Sequence, residues 1–405
     1  MVSMSRNVMP IVIAGGGIGG LACALALAQR RFSVVVLEQA AQFGEVGVGL
    51  QVAPNALSAL DALGVGAEVK RDALMIERLL LMDAIENRVV CDIPCSDDFK
   101  ERFGNGYAVA HRADVHGALL RACRREPLVL LRTNSCVSDF CVDDASVTIS
   151  IEGGEPIIGA TLIGADGIRS RIRQKLIGDG IAKRAPAIIY RALIPADAMP
   201  QAQKHPFPTL WVAPGAHLIY YPVRDWSLFN VAVTVSAPLD ACCEGEVSAE
   251  MIVETLHSWT SEPLAVLGTP SSYQRYAIRY RDPIESWTSG LVTLLGDAAH
   301  PMVQYIAQGA AMALEDAICL ADCVDQRDGE FPAAFKAYED IRIVRSARVQ
   351  LSSLMLDRFY HVDGVERLVR NAIFESRTET QHYDRLEWLF NTPPYVRGWR
   401  AKVGS

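Results

Sequence analysis

The chain has 405 residues, 50% hydrophobic and 21% charged, which is enough for two or three domains under one connected core. Its net charge of −8 gives no general reason to bind nucleic acid or an anionic membrane, although a local pocket could still attract a small anion. Ten dispersed cysteines, with one adjacent pair at Cys242-Cys243, form neither a CxxC nor a His/Cys cluster at zinc spacing. A disulfide scaffold and a metal centre are therefore not expected, and free thiols in a reducing cytoplasm are.

Residues 8–28 carry no charge and have the length of a membrane span, but five glycines fall in the middle of the segment. A strand–turn–helix uses glycines there and a spanning helix does not, so a soluble chain is expected. Strand 11–14 enters the glycine turn, helix 21–29 follows, and a second buried strand, 33–37, ends at Glu38. A short helix over 55–63 lies between Pro54 and Gly64. The pattern is strand-like from 79 to 93. Residues 112–125 form an amphipathic helix with Ala113, Leu119, Leu120 and Ala122 on one face. A hairpin over 135–151 turns at Asp143-Asp144, and a further strand runs from 157 to 163. From about 187 to 280, apolar and aromatic segments at 209–212, 217–222 and 229–236 predict an antiparallel sheet. A buried strand at 291–295 is followed by helices over 310–324, 331–360 and 364–374.

Three segments stand out along this chain: GGGIGG at 15–20, GADG at 164–167 and GDAAHP at 296–301. Each follows an apolar strand and offers Gly or Asp at its carboxyl end, where parallel sheets bind nucleotides. Gly15, Gly17 and Gly20 have GxGxxG spacing. The first makes the turn, the second admits a pyrophosphate to the backbone, and the third lets helix pack on strand. The helix amino end favours phosphate charge. Glu38 stands at the end of the next strand, where a carboxylate can accept ribose hydroxyls. Taken singly, Asp166 and Asp297 are equally good helix caps. Together with the glycine turn they point to one large dinucleotide gripped from several sides, and FAD is the natural candidate. Asp297 would then meet ribityl or ribose hydroxyls, and Gly309 would open a helix whose amino end faces the flavin.

The predicted fold is α/β: a Rossmann-like FAD-binding domain with a parallel sheet and an antiparallel excursion, an inserted antiparallel-sheet substrate domain, and a helical C-terminal segment. The boundaries are 1–78, 106–186 and 281–330 for the first, 79–105 and 187–280 for the second, and 331–405 for the third.

With GGGIGG at 15–20, GADGIRSRIR at 164–173 and GDAAHPMVQYIAQGAAMALEDA at 296–317, the chain resembles the single-component FAD-dependent aromatic hydroxylases of the para-hydroxybenzoate hydroxylase type. The likeness covers nearly its whole length. Within that family it is most similar to 3-hydroxybenzoate 6-hydroxylases, on FGEVGVGLQVAPNA at 43–56, HLIYYPVR at 217–224, QYIAQGA at 304–310 and HVDGVERLVRN at 361–371. Salicylate and 6-hydroxynicotinate hydroxylases share the FAD segments and fit the others less well.

The resemblance implies reduction of the flavin by NAD(P)H, with NADH favoured and NADPH left open, and a flavin C4a-hydroperoxide formed with O2. It also implies conversion of 3-hydroxybenzoate to 2,5-dihydroxybenzoate. Arg112 matches the family arginine that contacts FAD, and Gln51 joins the cofactor set. A phenolate makes the ring carbon electron-rich, so a base is needed in a dry pocket. His217, with an ordinary pKa near ~6.5, is the candidate base. It begins a strand whose alternation sends His217, Ile219 and Tyr221 to one face. Read without the resemblance, it could be a strand-end histidine only. Tyr221 and Gln304, and more weakly Tyr107, can hydrogen-bond the substrate's phenol or carboxylate. No arginine is evident for that carboxylate. His300 reads as structural.

The expected partner is a small aromatic acid, with a homodimer as the oligomeric expectation and no nucleic acid or membrane partner. The absence of a second GxGxxG and of CxxxxC disfavours a disulfide reductase, and the absence of WxWxIP disfavours a halogenase. A flavoprotein that acts only by binding, as a redox sensor, is the remaining alternative.

Overall fold

The computed structural model describes residues 6, 8–44 and 49–403. Residues 45–48 of the FGEVGVGLQVAPNA segment lie outside the described residues. Strands Ile11–Ala14, Val34–Leu37, Val129–Arg132, Thr161–Gly164 and Val292–Leu294 form a parallel sheet, closed at one edge by the antiparallel Thr288–Ser289. All five parallel strands are short, and the four other than Val129–Arg132 are buried throughout and apolar except for Thr161 and Thr293, as a sheet covered on both faces requires. Helices Ile18–Gln29 and Gly309–Gln326 pack together against this sheet, and the alanine- and leucine-rich first helix is buried along most of its length.

The excursion differs from its predicted course in one detail. The segment expected as one strand over 157–163 breaks at Ala160. Ile157–Gly159 pairs back with Val147–Ile151 in a three-stranded antiparallel sheet, while Thr161–Gly164 joins the parallel sheet. Gly159 marks the passage: a Cβ there would sit 2.6 Å from Val12 Cγ2 and 2.9 Å from the Pro10 carbonyl oxygen. Only a glycine lets the chain cross so close to the first strand.

The second large sheet has eight strands. Its centre is Lys183–Pro195, Leu228–Ser236, Ala216–Val223 and Thr209–Ala213, paired antiparallel in that order. Arg78–Asp83 adds to Thr209–Ala213 in parallel, and the hairpin partner Arg88–Pro94 forms that edge. Helices Ala249–Thr255 and Ser261–Leu267 cover one face around a separate core that includes Trp211, Tyr220, Phe229 and Trp259. Neither of these helices is apparent in the sequence pattern. Helix Asp97–Phe103 packs away from that core, its Phe99 and Phe103 meeting Tyr383 and Phe390 near the C-terminus.

The helix predicted over 112–125 forms at Arg112–Arg125, but its buried face is Val115, His116, Ala118, Leu119, Leu120 and Cys123. The long helix Phe331–Tyr360 lies against the first core and feeds Gly364–Glu375, Glu379–Phe390 and Pro394–Val403. Among the described residues, no helix is long and apolar enough to cross a membrane, and no cluster of three or more candidate ligands could hold a metal ion.

Candidate active site

The order of strands decides the geometry of the site. Val292–Leu294, Thr161–Gly164, Ile11–Ala14 and Val34–Leu37 are consecutive neighbours, all parallel. Their carboxyl ends therefore present Asp297, Asp166, Gly15 and Glu38 side by side, across roughly 14 Å at the usual strand spacing. All four line one cavity of about 720 Å³, together with Gly17, Gln51, Arg112 and Gly309.

Each grip residue is held by local chemistry. Gly15 has φ +111°, and a Cβ there would meet the Ala165 carbonyl oxygen at 2.3 Å. A Cβ at Gly20 would meet the Gly15 carbonyl oxygen at 2.0 Å, so Gly20 serves the turn from behind and does not line the cavity. His116, buried in helix Arg112–Arg125, places Nε2 2.8 Å from the Gly16 carbonyl oxygen. Glu38 accepts the Gly16 and Ala40 N–H groups, one on each oxygen, at 2.9 Å. Asp166 is tied to the first turn of helix Arg171–Leu176, whose N-cap is Ser170. Its Oδ2 accepts the N–H groups of Arg171 (2.8 Å) and Ile172 (3.3 Å), while its Oδ1 is buried with no partner. Burial raises the Asp166 pKa in spite of those bonds.

Two helices point amino ends into the cavity, at Gly17 and at Gln308. Neither end has a side-chain cap or an acid in its first turn. Uncapped N–H groups of this kind suit an anion. The second end is fixed from below by a buried network. His300 Nε2 lies 2.6 Å from Asp316 Oδ2, which also accepts the Gly296 N–H at 3.0 Å. Arg342 donates to Asp316 at 2.6 Å and to Glu315 at 2.5 Å, and Asn55 bridges Glu315 to Gln308. Burial pushes Asp316 up, but His300 and Arg342 pull it down to about 2. His300 is thus a structural strut beneath the GDAAHP turn.

The rest of the cavity is one face of the eight-stranded sheet. Register places Ile189, Thr234 and His217 in one row, Arg191, Ala232 and Ile219 in the next, and Asn230 beside Tyr221 in the third. All eight line the cavity. Ile189, Ala232 and Ile219 make an apolar floor, with Thr234, His217, Arg191, Asn230 and Tyr221 around it. Tyr221 and His217 are each 4% exposed. Gln304 reaches this face from the turn before helix Gly309–Gln326, donating from Nε2 to Thr234 Oγ1 at 3.3 Å. The approach of Gly49 to Tyr221 is close enough that a Cβ would lie 2.5 Å from the tyrosine ring, and its N–H is bound by Asn230 at 3.0 Å. This contact ties the FAD side of the cavity to the sheet.

His217, Tyr221 and Gln304 come together as the sequence suggested. Tyr107 does not join them. It is buried in the first core outside the cavity lining, and its hydroxyl donates to Gln51 Oε1 at 2.8 Å. Its place is behind the cofactor side, orienting Gln51. Arg191 was missed: it puts a guanidinium in the cavity near Tyr221. Its parity with Ile189 was visible in the sequence, but its neighbours needed the register.

The FAD binding domain family model matches residues 8–325. The 3-hydroxybenzoate 6-hydroxylase of Polaromonas naphthalenivorans (strain CJ2) is 41% identical over 94% of this chain and 96% of its own. The enzyme of that name from Klebsiella oxytoca is 39% identical over 97% and 98%. This chain belongs to the single-component FAD-dependent aromatic hydroxylases. A solved salicylate hydroxylase substrate complex shares the fold, with a TM-score of 0.82 over 98% of both chains at 22% identity. As a flavin-dependent aromatic monooxygenase of this family, the protein binds FAD, and the cavity fits it. The uncapped helix end at Gly17 suits its phosphates and the one at Gln308 suits the flavin, while the unpartnered Asp166 Oδ1 and buried Gln308 Nε2 leave polar positions for its other groups.

Proposed function

We propose that the protein hydroxylates 3-hydroxybenzoate to 2,5-dihydroxybenzoate with NADH and O2. The observation that carries this reading is the apolar floor bordered by His217, Tyr221, Gln304 and Arg191, in the same cavity as the four strand ends. Bound FAD supplies reduction by NADH and activation of O2. The chain's own residues do the rest. His217 takes the phenol proton, which leaves the carbon para to that oxygen electron-rich. Burial, and then the neighbouring His361, lower the His217 pKa well below 6.5, so the ring rests neutral at pH 7 with a lone pair to offer, and a proton taken there has to move on. Tyr221 and Gln304 fix the ring by hydrogen bonds, and the floor excludes water. Gly15, Gly17, Gly20, Glu38, Gln51, Arg112, Asp166, Asp297 and Gly309 hold the cofactor in this reading.

NADH oxidation across a panel of hydroxybenzoates tests the assignment. Stimulation by 3-hydroxybenzoate without CO2 release supports it, whereas CO2 release from salicylate would point to a salicylate hydroxylase. Arg191 supplies the positive charge for the substrate carboxylate. Arg191→Gln is expected to raise KM for 3-hydroxybenzoate by about tenfold or more through loss of a charged hydrogen bond. The same variant should leave KM for the carboxylate-free phenol unchanged, as measured by initial rates.

Three further proposals concern the whole molecule. Helix Phe331–Tyr360 exposes Ile341, Val344, Leu351 and Met355 along one face, and the next helix exposes Val365, Leu368, Val369 and Ile373. Apolar faces of this extent mark association surfaces, and a homodimer covers them in our reading. Light scattering should give a dimer for the natural chain and a monomer for the double variant Val344→Glu, Met355→Glu. The absence of any disulfide among the described cysteines fits a cytoplasmic location. The separate core beneath the eight-stranded sheet supports a substrate part distinct from the FAD-binding part, whereas the C-terminal helices and Phe99 and Phe103 of the predicted 79–105 piece share the first core with the FAD-binding part.

A further inference from the structure

Burial makes His217 a poor place to leave a positive charge, and the structure offers a way out of the cavity. His217 Nδ1 lies 2.8 Å from His361 Nε2, with the two rings stacked at 5.0 Å and 19°. His361 Nδ1 in turn lies 3.1 Å from Asp357 Oδ1, four residues earlier at the end of the long helix. Exposure rises outward along this line: the His361 side chain is 9% exposed and that of Asp357 29%.

We propose that Asp357 and His361 are positioning residues that set the tautomer of His217 and carry its proton to the surface. This rests on His217 being the base proposed above. The donor–acceptor logic runs inward from Asp357. An ionised carboxylate only accepts, so His361 Nδ1 carries a hydrogen and His361 Nε2 offers a lone pair. His217 Nδ1 must then donate, which leaves His217 Nε2 unprotonated. Among the described residues Nε2 has no hydrogen-bond partner, and it is the ring nitrogen free to face a ligand. When the phenol O–H breaks, its proton forms the His217 Nε2–H bond. The Nδ1 proton of His217 passes to His361 Nε2, and the positive charge rests on His361 beside Asp357. Solvent accepts a proton there, and phenolate remains in the cavity.

The segment is built to hold this line. The Gly215 N–H donates to the His361 carbonyl oxygen at 3.1 Å, two residues before His217. Arg367, Arg370 and Asn371 of the following helix all donate to the buried Asp83. The other titratable rings facing His217 are Tyr305 at 5.3 Å and Tyr360 at 5.8 Å, and Tyr305 also faces His361 at 5.9 Å. Arg191 lies one row away on the same sheet face.

The test uses the FAD-loaded protein with 3-hydroxybenzoate and no NADH, following phenolate absorbance of the bound ligand against pH. Asp357→Asn and His361→Gln are each expected to move the midpoint alkaline by about one pH unit, a tenfold loss of phenolate near neutrality. FAD content should stay at the natural level, which confirms folding, and if one variant does not fold the other decides. His217→Ala should shift the midpoint at least as far. If His217→Ala shifts it while both relay variants titrate like the natural protein, the relay is overturned and the base assignment stands. If His217→Ala also titrates like the natural protein, the base assignment fails and the relay with it.

Discussion

His217→Ala is expected to cut the rate of 3-hydroxybenzoate hydroxylation by about 10²–10⁴-fold, the range of general-base contributions. FAD binding should be untouched, because His217 stands on the sheet face of the cavity, apart from the four strand ends proposed to hold the cofactor. NADH oxidation should survive in part, since hydride transfer needs no phenolate. The reducing equivalents then reach O2 without reaching the ring, and hydrogen peroxide replaces product. Tyr221→Phe and Gln304→Ala each remove a hydrogen bond and leave the base, so they should weaken substrate binding and raise peroxide to a smaller degree. Counting product and peroxide per NADH separates these cases. Natural-level product in His217→Ala across the pH range would leave His217 as a strand-end residue only.

The second large effect is expected at Gly17. Its φ is −74° and ψ −176°, extended backbone that any residue adopts, so Gly17→Val should fold. The valine side chain would occupy the cavity at the amino end of the first helix, where phosphate must approach. Losing two charged hydrogen bonds of about 1.5 kcal/mol each predicts FAD affinity weaker by about a hundredfold. Gly20→Ala makes the contrast. Its Cβ would fall 2.0 Å from the Gly15 carbonyl oxygen, so this variant is expected to disrupt the turn itself. Flavin fluorescence released on denaturation gives the cofactor content, and circular dichroism reports the fold. A folded Gly17→Val protein that keeps a full complement of FAD would contradict the grip.

These two effects mirror what local sequence does and does not reveal. The grip is legible because GxGxxG and the two aspartates each sit at a strand end, and a parallel sheet then forces the ends together. The helix Phe331–Tyr360 is legible because it starts and stops where the pattern does. The alternation from His217 to Tyr221 also carries through, since a strand leaves its side chains no other choice. Three features resist such reading. Tyr107 sits on no pattern that tells a ligand-facing hydroxyl from one spent on Gln51. Arg191 needs the register of two further strands before its neighbours are known. His361 lies 144 residues from His217, and only the packing of the C-terminal helices brings the rings together. The helices Ala249–Thr255 and Ser261–Leu267 are only about two turns each, and their stability comes from the core beneath them, not from their own periodicity.

The account's central claim is that one atom of O2 is placed on the ring of a phenolic acid bound on the His217 face. The most direct measurement is a turnover of 3-hydroxybenzoate under ¹⁸O2 with limiting NADH, analysed by mass and NMR. The account predicts 2,5-dihydroxybenzoate carrying one ¹⁸O atom, formed in near-equal amount to the NADH consumed. Unchanged 3-hydroxybenzoate with all NADH recovered as peroxide, or a product whose new oxygen comes from water, would contradict it.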